Sequence, residues 1–337
     1  MTDKPIIGIT MGDAAGVGPE VIAKALSEDK IYENCRPIVI GDSKVLKEGI
    51  RVARKTLEVH PVKRVSEAYF KLGSIDVLDL DNIDMEKLEM GKAQAMAGKA
   101  SVEYIKKAVE LAKEGEIDAI ATAPINKEAI NKAGFKYSGH TELLAELTGT
   151  KDYAMMLVGG SLRVIHVTTH VSLREACELI DSNRILRTIR LAWKATREMG
   201  IENPKVAVAA LNPHAGEGGL FGSEEIDAIR PAVELARDEG INASGPYPAD
   251  TVFLRASRGE FDIVVAMYHD QGHIPIKMQA FEGGVNVTVG LPIIRTSVDH
   301  GTAYRRAGLR LGTANPKSMI EAILLASKMA KRRLNRT

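Results

Sequence analysis

Short apolar runs rich in β-branched residues recur along the chain, each closed by turn-forming residues: Pro5–Met11, Pro37–Gly41, Ile75–Leu80, Ile117–Ala123, Tyr153–Val158, Leu162–Thr168, Lys205–Leu211 and Asp262–Met267. Each predicts a buried strand. Between them, Val21–Leu26, Ala93–Lys113, Asn183–Met199, Glu224–Glu239 and Lys317–Arg333 place apolar residues three and four apart, which predicts amphipathic helices. Strand and helix alternate, so the fold class is α/β with a mostly parallel sheet. A chain of 337 residues has room for two lobes and a cleft. No repeat, low-complexity tract or Pro-rich linker marks a boundary, so the lobes are expected to be interleaved, with the chain crossing more than once.

Charge narrows the partners. Lys and Arg number 45 against 44 Asp and Glu, a net charge of +1, which gives no global field for nucleic acid or a membrane surface. A small-molecule partner is expected. The basic run Lys331-Arg332-Arg333 reads as a solvated helix end favoured by the helix dipole. Cys35 and Cys177 are too few for a disulfide framework and lack soft-metal spacing, so a reducing compartment is expected. The N-terminal residues lack the long apolar stretch of a signal peptide and no run reaches membrane-spanning length, so the expected location is the cytoplasm.

Three groups of residues can do chemistry. The first is Thr10-Met11-Gly12-Asp13-Ala14-Ala15-Gly16-Val17-Gly18-Pro19-Glu20, a glycine-rich strand-to-helix turn. Its glycines follow neither the Rossmann nor the P-loop pattern; it could offer backbone N–H groups to an anion or place Asp13 in a cleft, or be a tight turn alone. The second is a set of five histidines at expected strand ends: His140, His170, His214, His269 and His300. Carboxyl ends of parallel strands are where α/β folds hold their sites, and three imidazoles on a divalent ion leave positions open for substrate. The spacings are long and no HxxxH pair on one helix is expected, so the alternative of capping or hydrogen-bonding histidines stays open. The third is Lys277, Asn286 and Arg295, polar residues in an otherwise glycine-rich and apolar stretch, which suit phosphate or carboxylate; a surface salt bridge is the alternative.

Taken in series, Met11-Gly12-Asp13, Ala123-Pro124-Ile125-Asn126-Lys127, Ser138-Gly139-His140-Thr141-Glu142, Asn212-Pro213-His214-Ala215-Gly216-Glu217, Met267-Tyr268-His269-Asp270-Gln271-Gly272 and the run Arg295 to Ala303 resemble the family of 4-hydroxythreonine-4-phosphate dehydrogenases over essentially the whole chain. The resemblance implies an isocitrate/isopropylmalate-dehydrogenase-like fold of two interleaved lobes with the active site in the cleft. It implies a nucleotide-side lobe of residues 1–130 plus about 290–337, and a metal, substrate and dimerisation lobe of about 131–289. It further implies a homodimer with shared active sites and one divalent metal (Zn, Mg, Mn or Co) held by His170, His214 and His269. Substrate contacts carry over to His140, Thr141, Lys277, Asn286 and Arg295. The nucleotide loop of the wider decarboxylating dehydrogenases is matched by His300, Gly301, Thr302, Ala303 and Asn315. That assignment calls for NAD, with NADP also admissible, since no acidic residue for the ribose stands out.

Two departures bear on the substrate. Ala14 stands where the family usually has Pro, which loosens a turn and removes no functional group. Gly272-His273-Ile274-Pro275 stands where the vitamin B6 enzymes carry Leu-Pro after the glycine, and resembles the branch acting on 4-phospho-D-threonate or 4-phospho-D-erythronate. The implied reaction is oxidation with decarboxylation to dihydroxyacetone phosphate, with Lys277, or else Asp250, moving the proton. The B6-pathway reaction, a non-redox metal hydrolase or lyase, and a metabolite-binding protein without turnover are the alternatives.

Overall fold

The computed structural model describes residues 4–137 and 139–335, so Ser138 of the Ser-Gly-His-Thr-Glu motif lies outside the described residues. Two compact units emerge, one formed by Met1–Lys151 with Leu291–Thr337 and one by Asp152–Gly290. The polypeptide leaves the first unit once and returns to it, which is the interleaving that the missing linker predicts. The sequence division gave residues 131–151 to the second lobe, but in the structure the helix at 140–148 packs on the helix at 95–114 and belongs to the first unit.

The first unit begins with β1 (Ile6–Thr10), α1 (Gly18–Ala25), α2 (Asp29–Asn34), β2 (Arg36–Gly41), α3 (Ser43–Ala53), β3 (Glu58–Val62), β4 (Ser74–Asp79), α4 (Ala95–Glu114), β5 (Ala119–Thr122), α5 (Lys127–Lys132) and α6 (His140–Thr148). The second unit comprises β6 (Ala154–Gly159), β7 (Leu162–His166), α7 (Leu173–Glu178), α8 (Ser182–Glu198), β8 (Val206–Ala209), α9 (Arg230–Asp238), β9 (Ala243–Tyr247), α10 (Ala249–Ser257), β10 (Ile263–Ala266), α11 (His269–Ala280) and β11 (Val285–Val289). The chain then re-enters the first unit as β12 (Arg295–Val298), α12 (Tyr304–Leu309) and α13 (Lys317–Leu334).

The first unit's strands run in the order β3-β4-β2-β1-β5-β12, and every neighbouring pair is parallel. Consecutive residues of β1, β2 and β5 are buried, without polar alternation, because helices cover both faces of a parallel sheet. Ile7, Ile9, Ile38, Ile40 and Ile120 are at most 1 % exposed, and burying each such side chain contributes roughly 1.5–3 kcal/mol. Helix starts are fixed by side chains: Asp42 accepts from the N–H groups of Lys44 and Val45 at α3, and Asn126 accepts from that of Ala129 at α5.

The second unit's order is β11-β6-β7-β10-β8-β9, with β6 antiparallel to both β11 and β7 and the other pairs parallel. The antiparallel step follows from chain length: only Gly160 and Ser161 join β6 to β7, too few for a crossover. Its core gathers Leu157, Leu162, Val164, Val264 and Ile276.

Four strands, β3, β9, β11 and β12, lie outside the apolar runs. β12 reads Arg-Thr-Ser-Val, yet all four residues are buried, because Thr296 donates its hydroxyl to Ala322 O at 2.8 Å and Ser297 to Thr122 O at 3.3 Å. The expected helix at 224–239 is also subdivided: Glu225–Ile229 forms a π turn, and α9 follows with Pro231 in its first turn. Among the described residues no helix is long and apolar enough to cross a membrane.

Candidate active site

In the first unit, the expected substrate residues Arg295 and His140 lie together. Arg295 pairs in register with Ile120 of β5 and is 2 % exposed. Its Nε and Nη2 donate to Thr122 Oγ1 at 3.2 and 2.7 Å. Burial pushes the guanidinium down to about 9, which leaves it charged at neutral pH. His140 opens α6, with Thr141 next to it in the first turn, and its Nε2 is buried with no hydrogen-bond partner. Desolvation first, and then the Arg295 guanidinium, hold its imidazole well below the ordinary value, so it stays neutral. A buried fixed charge beside a neutral imidazole and a helix N-terminus is the chemistry of an anion pocket. Thr122 is part of it without having been singled out in the sequence, since a Thr inside an apolar strand carries no distinctive signal.

The glycine-rich turn has another role than presenting free donors. Gly12 has φ +72° and a Cβ there would meet Pro124 O at 2.4 Å, so the backbone itself is packed. The N–H groups of Met11, Asp13, Gly16 and Val17 already donate to Ile40 O, Pro124 O, Asp13 O and Thr302 O. Asp13 is fully buried, accepting from Ala15 N–H at 2.8 Å and from the Tyr304 hydroxyl at 2.7 Å, and burial raises its carboxyl. These five N–H groups are therefore not free for an anion and the Asp13 side chain is enclosed, so the turn serves as a support on which the segment 300–304 rests. On that segment His300, Gly301 and Ala303 are exposed and Thr302 is buried, and the exposed Asn315 accepts from Lys317 N–H at 3.0 Å. An apolar pocket beside it is lined by Ala14, Gly16, Pro19, Met90, Ala307 and Leu311.

The second unit holds the three expected metal ligands. His170 lies in the bend after β7, His214 in the turn Pro213–Gly219 after β8, and His269 starts α11 after β10. The His170 and His269 rings are 5.6 Å apart between centroids. His214 Nδ1 lies 3.1 Å from Glu217 Oε2 and His269 Nδ1 lies 2.7 Å from Asp270 Oδ1. A carboxylate on Nδ1 fixes the tautomer and leaves Nε2 as the donor, the arrangement usual for imidazoles on a metal, so this donor set fits a divalent cation. Among the described residues no three His, Cys, Asp or Glu side chains group so as to hold a metal ion.

The histidine reading needs one correction. His269 and His273 form an HxxxH pair on one helix, α11, with rings stacked at 3.6 Å, and His166 is 4.8 Å from His273 and 6.4 Å from His269. The spacings 166/170 and 269/273 are the signals that would have found this cluster. His166 is held down to about 3, by burial first and then by His273. Of the remaining candidates, Lys277 is half-buried on α11, Asn286 lies on β11 with its Oδ1 buried and unpartnered, and Asp250 is exposed in the first turn of α10. Lys277 and Asn286 thus fall in the second unit and Arg295 in the first.

Comparison with known proteins gives a consistent picture. The family described as pyridoxal phosphate biosynthetic protein PdxA matches residues 33–326. The D-threonate 4-phosphate dehydrogenase of Cupriavidus necator is 51 % identical over 330 residues, 98 % of each chain. A crystal structure of a 4-hydroxythreonine-4-phosphate dehydrogenase from Burkholderia phymatum has a TM-score of 0.86 at 51 % identity, covering 97 % of this chain and 98 % of that one. The corresponding structure from Klebsiella pneumoniae has a TM-score of 0.89 at 46 % identity, covering 97 % and 99 %.

Proposed function

Since the chain belongs to the PdxA family, we propose that it oxidises 4-phospho-D-threonate or 4-phospho-D-erythronate with NAD and a divalent cation, yielding dihydroxyacetone phosphate and carbon dioxide. The coarser statement needs no proposal: the chain is an oxidoreductase, a dehydrogenase of phosphorylated hydroxy acids. The observation that carries the finer one is the 51 % identity over 98 % of both chains to a D-threonate 4-phosphate dehydrogenase, joined to Gly272-His273-Ile274 in place of the Leu-Pro sequence. The 4-hydroxythreonine-4-phosphate reading stands second, favoured by the names of the two crystal structures.

The residues divide the work as follows. In the first unit, Arg295 supplies the fixed positive charge for the anionic substrate, and His140 and Thr141 add polar contacts. In the second, Lys277 and Asn286 are the residues that the family motif assigns to the substrate. His170, His214 and His269 hold the cation, which when bound lowers the pKa of the substrate alcohol and stabilises the negative charge that develops on its oxygen. The carbinol hydrogen leaves as hydride to the nicotinamide, and the hydroxyl proton passes to Lys277, with Asp250 as the alternative base. The resulting β-keto acid then loses its carboxyl group as carbon dioxide, and Lys277 returns a proton to the carbon left behind. His300, Gly301, Thr302, Ala303 and Asn315 serve the cofactor, a role that rests on the resemblance of their segment to the nucleotide loop of the wider decarboxylating dehydrogenases.

The family resemblance assigns the cation's ligands to two copies of the chain, and the same sharing is proposed for this one. Ile274 and Met278 on α11 and Phe281 at its C-cap are 57, 84 and 80 % exposed at four- and three-residue spacing, an apolar stripe suited to such a partner. The test of the activity is a turnover screen with 4-phospho-D-threonate, 4-phospho-D-erythronate and 4-phosphohydroxy-L-threonine, NAD and NADP in parallel, read as nicotinamide reduction. Fastest reduction with either of the first two is expected. Preference for the third would move the chain to the B6 branch, and metal-dependent product without reduction would favour the hydrolase or lyase.

A further inference from the structure

His214 stands on a turn wound in the unfavourable sense. His214, Ala215, Gly216, Glu217 and Gly218 all have positive φ, at 52, 57, 78, 47 and 69°. Glycine takes this region freely, whereas His214, Ala215 and Glu217 are L-residues with a Cβ that crowds the following carbonyl. Successive left-handed residues persist only where the surroundings over-determine them. The restraint comes from Glu225, which is 1 % exposed and begins the π turn Glu225–Ile229. Its Oε1 accepts from the N–H groups of Leu211 and Asn212, both at 2.8 Å, and its Oε2 accepts from Asn212 Nδ2 at 3.0 Å. These are the residues that lead directly into Pro213 and His214. A Cβ on Gly216 would lie 2.7 Å from Glu225 Oε2, so the carboxylate is packed against the middle of the turn as well as its entrance.

We infer that Glu225 is a positioning residue for the cation site: its carboxylate anchors the entrance of the left-handed turn and so aims His214 Nε2. The inference rests on the metal-binding role proposed for His214. It explains why a buried acid is spent on three N–H donors of one loop, and why a π turn, a form that concentrates at functional sites, lies against it.

Cobalt(II) titration of the metal-free full-length protein, followed by calorimetry and by the visible absorption of the bound ion, tests it. Glu225→Gln keeps the shape but sets an amide donor against Asn212 Nδ2. A loss of cobalt affinity of roughly tenfold or more, with native circular dichroism, is expected, as for other residues that orient metal ligands. Adding Ala215→Gly, which relieves the turn, should restore part of that affinity, a rescue that a purely structural role would not show. His214→Ala is the control. If it binds cobalt as the parent does, the metal reading itself fails. If it loses affinity while natively folded Glu225→Gln keeps the parental affinity and spectrum, the positioning role alone is overturned. Should Glu225→Gln not fold, Asn212→Ala carries the same expectation, and parental affinity there would overturn the inference.

Discussion

At Arg295, on a strand parallel to β5, the chain buries the residue to 2 % exposure and gives its guanidinium the hydroxyl of Thr122; at His214 it leaves an imidazole side chain 67 % exposed on a left-handed turn. Both are assigned to one reaction, yet they are built in opposite ways. Arg295 and Thr122 belong to one unit, and a charge held in low dielectric is strongest when its surroundings are fixed. Under the proposed role, His214 stays open because a ligand to a catalytic cation must leave room for metal and substrate. Under the proposed roles, the contrast teaches that the permanent charge is enclosed, while the side chain that meets an arriving cation is left open to solvent on a backbone that is itself held.

The sharpest way to break the contrast is His214→Ala. Loss of turnover beyond the roughly 10–100-fold typical of residues that merely orient a metal ligand is expected, with the thermal midpoint nearly unchanged because the side chain is exposed. Parental activity and metal content would remove His214 from the site. Next in size is Arg295→Lys, which keeps the charge but loses the planar fork. A lost hydrogen bond to a charged group is worth about 1.5–3 kcal/mol, so KM for the phosphorylated acid should rise roughly ten- to a hundredfold. Unchanged KM and kcat would make Arg295 structural. Chelation comes third: if two copies share the cation, removing it should weaken association measurably in sedimentation equilibrium, since the ion binds only the assembled state. A dimerisation constant indifferent to chelation would put all ligands in one chain.

The smallest effect is on pH. His140 is held below its ordinary value when folded, so below about pH 6.5 the unfolded chain binds a proton that the folded chain refuses. Stability from this group is present above that pH and is lost as pH falls, with a slope of at most about 1.4 kcal/mol per pH unit. His140→Gln should flatten the acid limb of a denaturation series. An unchanged limb would mean that the ring is not held neutral.

What could be read in the sequence follows the same divide. Strands such as β1 and β2 declare themselves because burial on both faces demands uninterrupted apolar runs, and four of the five expected strand-end histidines do follow strands, whereas His140 follows α5 and opens α6. β12 does not, because Arg295, Thr296 and Ser297 are polar residues whose partners are distant in sequence. α11 is the plainest miss. His-Asp-Gln-Gly-His-Ile-Pro-Ile contains a Gly and an interior Pro275 and reads as a loop, but Gln271 ties the helix down, accepting from Met267 N–H at 2.6 Å and donating to Ala210 O at 2.7 Å. Those tertiary bonds override local propensity. The left-handed turn at His214 was equally hidden, since only three of its six positive-φ residues, Gly216, Gly218 and Gly219, are glycine.

The central claim, that the open histidine half of the site is completed by a second copy, is tested most directly by mixing mutant chains. His214→Ala and His269→Ala chains, each inactive alone, are combined, heterodimers are confirmed by mass, and NAD reduction is measured, with the cross repeated for His170 against each. If ligands are shared, at least one pairing regains activity, because one of its two sites recovers a full set of histidines while the other loses two. Silence in every pairing, with heterodimers present, would contradict the account.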